Sequence, residues 1–152
     1  MKNNILITGG NGFLGLRLNN FLKNISKEDL IYIGSREFLE GNKKSRLIDY
    51  SDFGKLKVLC KDIDIVIHLG GPDKETCEIG KSELISEICS QTNLFLRACE
   101  EAGVKRIIYL SSYHIYGGPL KGKVTENSDL KANNPYSKIK QATEQLILSS
   151  NI

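Results

Sequence analysis

Asn4-Ile5-Leu6-Ile7-Thr8 runs straight into Gly9-Gly10-Asn11-Gly12-Phe13-Leu14-Gly15, and this junction decides the fold. The first five residues form a short apolar run stopped by glycine, which reads as a buried strand. From Phe13 to Asn24 the positions Phe13, Leu14, Leu18, Phe21 and Leu22 recur at helical spacing, which predicts a helix with those residues on one side. Between strand and helix lies G-x-x-G-x-x-G. Glycines so placed let the backbone turn sharply and approach a pyrophosphate, whose charge meets the free N–H groups and positive end of the helix. A glycine triplet alone also describes an ordinary tight turn. Its place between a strand and a helix is what favours nucleotide binding.

Outward from this junction, strands and helices alternate. Leu30–Ile33 is a second strand, and Arg46-Leu47-Ile48 a weaker third. Ser51 is the expected cap of a short helix carrying Phe53, Leu56 and Leu59. Ile63–Leu69 is the strongest strand signal, ended by Gly70-Gly71-Pro72. A helix is predicted over Ser82–Ala102 with Gly103 as its stop, then a fifth strand over Arg106–Leu110. A polar loop leads to a last helix opened by Pro135. The order β-α-β-β-α-β-α-β-α predicts an α/β domain built on a doubly wound parallel sheet of about five strands with flanking helices.

Composition narrows the function classes. At 152 residues, with 40% hydrophobic and 26% charged residues and 3 prolines, the chain is one ordinary globular domain. No apolar run approaches the ~18–20 residues of a membrane span, and Met1-Lys2-Asn3-Asn4 lacks a signal-peptide layout, so a cytoplasmic protein with no membrane partner is expected. The net charge of +3 is scattered. Lys43-Lys44 with Arg46, the densest basic cluster, has no interleaved aromatics and reads as solvated surface, not a nucleic-acid site. Cys60, Cys77, Cys89 and Cys99 lack metal-ligand spacing, so no metal is expected and the thiols read as reduced, most of them core fillers. His68, inside an apolar strand, reads as a satisfied core residue, and His114 as a polar residue of an exposed loop.

Tyr136 and Lys140 are four residues apart and share one helix face. An ammonium beside a phenol stabilises the phenolate, which makes Tyr136 a candidate general acid/base. Ser112 stands just past the fifth strand, at the sheet end where ligands of such folds sit. A Tyr-Lys pair also occurs on any solvated helix, and a serine at a strand end often only satisfies backbone groups. After the second strand the chain reads Gly34-Ser35-Arg36, where NAD-preferring folds carry an acid. Ser35 and Arg36, with Arg17 in support, suit a 2′-phosphate and lean the choice toward NADP; the alternative is NAD with Arg36 stacked on the adenine.

Four blocks resemble the extended short-chain dehydrogenase/reductase family, the NAD(P)-dependent nucleotide-sugar epimerases and dehydratases. Residues 8–15 are similar to T-G-x-x-G-F-x-G. Asp64-Ile65-Val66-Ile67-His68-Leu69-Gly70-Gly71 is similar to D-V-V-I-H-L-A-A. Residues 102–112 with Ile115-Tyr116-Gly117 resemble A-G-V-K-R-x-V-Y-x-S-S…V-Y-G. Asn134-Pro135-Tyr136-Ser137-Lys138-Ile139-Lys140 with Glu144 resembles N-P-Y-x-x-S-K-x-x-x-E, with Ile139 in place of the usual serine.

The resemblance implies a Rossmann fold in which Tyr136 moves a hydroxyl proton while hydride passes between a sugar carbon and the nicotinamide. Lys140 would also bind the nicotinamide ribose, and Ser112 would fix the substrate oxygen. Gly9, Gly12, Phe13, Leu14, Gly15, Ser35, Arg36, Asp49 (against the adenine), Tyr50, Leu69 and Gly70 would line the cofactor. It further implies a homodimer in which Ser82–Ala102 and Pro135–Ser150 of two copies form a four-helix bundle.

The chain departs from the family in length. Residues 1–152 are expected to be the NAD(P)-binding domain, with the carboxyl-terminal substrate domain absent; natural truncation, cloned fragment and one half of a split protein all stay open. Gly70-Gly71-Pro72 replaces two alanines, and Ile88 stands where the family has asparagine. Epimerase, dehydratase and reductase remain open, and a non-catalytic dinucleotide-binding module is the rival.

Overall fold

The computed structural model describes residues 2–39, 41–120 and 122–152, apart from the side chains of residues 80–82. Five strands, β1 (Asn4–Thr8), β2 (Leu30–Ser35), β3 (Ser45–Leu47), β4 (Ile65–His68) and β5 (Arg106–Tyr109), form one parallel sheet in the order β3-β2-β1-β4-β5. The order reverses between β1 and β4, which opens a crevice at the carboxyl ends of those two strands. The helices are α1 (Phe13–Ile25), α2 (Phe53–Cys60), α3 (Lys74–Ala102) and α4 (Pro135–Leu148), with one 3₁₀ turn, Tyr113–Tyr116, between β5 and α4. No helix among the described residues is long and apolar enough to cross a membrane.

Alternation along each strand sends side chains to opposite faces of the sheet. Leu6 and Val66 face α2 and α3, where Leu56, Leu59, Phe95, Ala98 and Cys99 complete the larger core. Cys60 and Cys99 touch there as thiols, Sγ to Sγ 3.6 Å, and all four cysteines are free; Cys89 is only half-buried. Ile5, Ile7, Ile31 and Ile33 form the core of the other face.

On that second face the sheet covers only part of the apolar side of α1. Only Leu18 and Leu22 pack on the sheet, whereas Phe13, Leu14 and Phe21 are exposed. The helix lies over β1 and β2 and leaves the same face of β5 open, with Ile108 and Leu110 also exposed. An apolar stripe therefore does not by itself locate the buried side of a helix on a partly covered sheet.

Two helix starts also differ from expectation. Asp52, not Ser51, caps α2, its side chain accepting from Lys55 N; Ser51 instead donates to Asp49. α3 begins at Lys74, eight residues before Ser82, because Asp73 accepts from Thr76 N at 2.8 Å. Gly103 ends α3 in the left-handed region, at φ 74°, as a glycine C-cap does.

Candidate functional site

The glycine loop is held by contacts that only glycine allows. Gly9 has φ +66°, and a Cβ there would lie 2.8 Å from Gly70 N. A Cβ on Gly15 would lie 2.5 Å from Gly10 Cα and from Gly9 O, so this residue sets how closely α1 approaches the loop. Gly12 is the N-cap of α1 and supplies no side-chain cap, nor is there an acid in the first turn. The first N–H groups of α1, at Phe13, Leu14 and Gly15, therefore have no side-chain acceptor, and the positive end of the helix dipole is uncompensated. A solvent-open crevice of about 240 Å³ lies over this loop, lined by Gly9, Gly12, Ser35, Arg36, Tyr50, Leu69 and Gly70 among others.

The floor of the crevice is pinned by one buried hydroxyl. Thr8 Oγ1 lies 2.6 Å from His68 Nδ1 and accepts from Gly70 N at 3.3 Å, so β1 and β4 are tied where the two glycine segments meet. Burial, with the nearby Lys140 charge, pulls His68 down to about 4, so the ring is neutral, as a hydrogen-bonded core residue. Beside it, Tyr50 is pushed up to about 12 by burial. Its hydroxyl is buried without a hydrogen bond of good geometry, as is Ser111 Oγ.

The crevice continues past Gly70 and Gly71 to Lys140, lined on the way by His68 and Tyr109. Lys140 is buried, and its Nζ donates to Leu110 O at 3.2 Å. Desolvation lowers its pKa. The ammonium lies 5.8 Å from the Tyr136 ring centroid and 5.1 Å from that of Tyr109. Asn134 and Ser137 form a reciprocal cap that starts α4, with Pro135 in its first turn, and this sets the direction of Tyr136 and Lys140.

Ser112 caps the 3₁₀ turn and accepts from His114 N at 3.3 Å, so its own proton is free to donate elsewhere. His114 is corrected: it lies in that turn, half-buried, its ring edge-to-face with Tyr136 at 6.0 Å. The sequence offered no signal for this, since the turn is a single one and the intervening loop hides its distance from Tyr136. Ser112 is thus bracketed by two fixed points, Leu110 on Lys140 and His114 on Tyr136.

The remaining expected cofactor residues are more occupied than their spacing suggests. Ser35 donates its hydroxyl to Glu37 O. Asp49 is held at about 2 by Lys55, at 2.8 Å, and by Ser51. Arg17 stacks on Phe13, 4.0 Å from the ring centroid. Arg36 is exposed at the mouth and forms no ion pair with a described residue.

A dinucleotide fits these residues. The glycine cradle has no room for a Cβ, the first turn of α1 lacks a side-chain cap, and a buried tyrosine hydroxyl lines the crevice without a hydrogen bond of good geometry. Comparison with known proteins decides the family: the sequence model of the NAD dependent epimerase/dehydratase family matches residues 5–151. The chain belongs to this family.

Within the family, the chain is similar to the low-salt glycan biosynthesis protein Agl12 of Haloferax volcanii, 29% identical over 95% of this chain and 51% of that protein. It is equally similar to the dTDP-D-glucose 4,6-dehydratase of Mus musculus, at 29% identity over 95% of this chain and 45% of the enzyme. The UDP-glucose 4-epimerase of Bifidobacterium longum, solved with NAD+ and UDP, superposes with a TM-score of 0.79 at 25% identity, covering 95% of this chain and 48% of that one. The chain therefore spans about half the length of the relatives it matches.

Proposed function

We propose that this chain supplies the cofactor-binding and proton-transferring half of an NAD(P)-dependent nucleotide-sugar epimerase, dehydratase or reductase. The observation that carries the proposal is that the crevice over the glycine loop and the one reaching Lys140 share Arg36, Tyr50, Gly70 and Gly71, and the Lys140 ammonium lies 5.8 Å from the Tyr136 ring centroid. A bound nicotinamide ring supplies a hydride acceptor. Tyr136 takes the proton of the sugar hydroxyl being oxidised and later returns it. Ser112 donates to the same oxygen with the proton that its contact to His114 N leaves free. Lys140, fixed on Leu110 O, holds its charge near the Tyr136 ring and offers its remaining protons to the cofactor ribose.

NADP is the favoured cofactor in this proposal, because Arg36 stands exposed at the mouth with no ion pair to a described residue. Ser35 adds no donor to a 2′-phosphate while its hydroxyl rests on Glu37 O, so that recognition falls on Arg36. The protein is a homodimer in this proposal, with α3 and α4, which pack side by side, as its shared face. Light scattering that gives a monomer at micromolar concentration contradicts the dimer.

The experiment adds UDP-glucose or dTDP-glucose to the chain with NAD+ or NADP+ and follows absorbance at 340 nm. The wild type reduces the cofactor and Tyr136→Phe does not. If neither reduces it, the rival, a dinucleotide-binding module without hydride chemistry, replaces this proposal.

A further inference from the structure

We propose that Tyr109 is a positioning residue for the proton transfer assigned to Tyr136: its ring holds the Lys140 ammonium in place and ties it to the floor of the crevice. The inference rests on the oxidation proposed above. Tyr109 ends β5, and in the ladder it stands opposite His68, the last residue of β4. The two rings stack, with centroids 5.6 Å apart and planes 27° from parallel. His68 in turn engages Thr8 Oγ1 through Nδ1, and that hydroxyl accepts from Gly70 N. At the other end of this row the Lys140 ammonium lies 5.1 Å from the Tyr109 ring centroid, against 5.8 Å to that of Tyr136. Thr143, buried on α4 one turn past Lys140, sits against the Tyr109 hydroxyl. One side chain therefore meets both the strand that leads into Gly70 and the helix that carries Tyr136 and Lys140.

Lys140 needs such a contact. Its charge is what steadies a phenolate at Tyr136, and burial works against that charge. The Leu110 carbonyl meets one of its protons. The titratable groups facing it from neighbouring elements do not supply a counter-charge. His68, on β4, is neutral; Cys77, on α3, is a thiol that burial keeps protonated; and Arg36, after β2, brings a like charge to the same crevice. On α4 itself, Tyr136 is the group Lys140 serves, and Glu144 acts on the Tyr109 phenol. An aromatic face attracts a desolvated ammonium without competing for its hydrogen bonds. Burial pushes the Tyr109 phenol up, so it stays neutral and moves no proton of its own. Its effect on the reaction passes through Lys140.

The test compares the wild type with Tyr109→Phe, Tyr109→Leu and a chain carrying a trifluorinated phenylalanine at position 109, which keeps the shape of the ring but removes the negative potential of its face. With NADPH or NADH bound, the side-chain methylene resonance that Lys140→Met removes is titrated, a reading that needs no turnover. Its midpoint in Tyr109→Phe matches the wild type, and it falls by about one pH unit in Tyr109→Leu and in the fluorinated chain. With the oxidised cofactor and UDP-glucose or dTDP-glucose, the alkaline limb of kcat for cofactor reduction moves down by the same amount in those two chains, while KM for the sugar changes by less than about twofold. Should Tyr109→Leu fail to fold, the fluorinated chain decides. A Lys140 midpoint and an alkaline limb that fluorination leaves in place overturn the inference while the oxidation stands. No cofactor reduction in the wild type removes both.

Discussion

The ammonium of Lys140, on α4, donates to the main-chain carbonyl of Leu110, just past β5, across 3.2 Å. The contact fixes the last helix on the end of the last strand and leaves a desolvated charge at the end of the crevice. A buried ammonium with no ion pair to a described residue contributes little to stability, because its desolvation opposes what its hydrogen bond gains. Lys140→Met is therefore expected to leave the thermal midpoint unchanged or slightly raised. It should weaken NADPH or NADH about tenfold, which is about 1.4 kcal/mol of binding. A large fall in the midpoint with unchanged affinity would assign Lys140 to the fold instead.

Gly15→Ala places a Cβ against backbone atoms on two sides, where no flexible side chain can give way. The loop and the start of α1 must separate, at a cost of about 1–3 kcal/mol in denaturant unfolding. Dinucleotide affinity should fall by more than tenfold, since the first N–H groups of α1 move away from the loop. Chemical denaturation and fluorescence titration on one sample measure both effects.

His68 gives the fold a pH dependence with a definite sign. Its folded value of about 4 lies below the ordinary 6.5, so between these values the unfolded chain binds a proton that the folded chain refuses. Stability is full above 6.5 and falls as pH drops toward 4, by at most about 1.4 kcal/mol per pH unit. Asp49, held at about 2, loses its contribution only below the ordinary carboxylate range, so the two windows are separate. His68→Gln should flatten the slope between pH 6.5 and 5, whatever it does to absolute stability. An unchanged slope would mean the ring is free to charge in the folded protein.

Arg36 decides between the two dinucleotides. Exposed at the mouth, with no ion pair to a described residue, it is placed to meet a 2′-phosphate as a charge-assisted donor. Arg36→Ala should weaken NADPH about tenfold or more and NADH less than threefold, with both measured at one ionic strength. Equal losses would mean that Arg36 stacks on the adenine.

The centre of the sheet was legible because its strands are parallel and buried, so β1, β2 and β4 stand out as short apolar runs, β1 and β4 soon followed by glycine. β1 and the helices opened at Phe13 and Pro135 begin where their flanking residues predict. The buried side of α1 was not legible, since Phe13 and Phe21 belong to an apolar stripe that the sheet does not cover. Nor was the start of α3: the helical period was read from Ser82, while Asp73 caps a helix that starts eight residues earlier. At the site, residue spacing found Tyr136 and Lys140 because one helix carries both. It could not find His114 against Tyr136, which lies 22 residues along the chain across an irregular loop. It also could not foresee that Ser35 and Asp49 hold other partners.

The most direct measurement is a fluorescence titration of the folded chain with NADPH and with NADH, repeated on Gly9→Ala, whose Cβ would strike Gly70. Saturable one-site binding by the wild type, tighter for NADPH and lost in the variant, is the predicted result. A folded wild type that binds neither dinucleotide would contradict the account at its root.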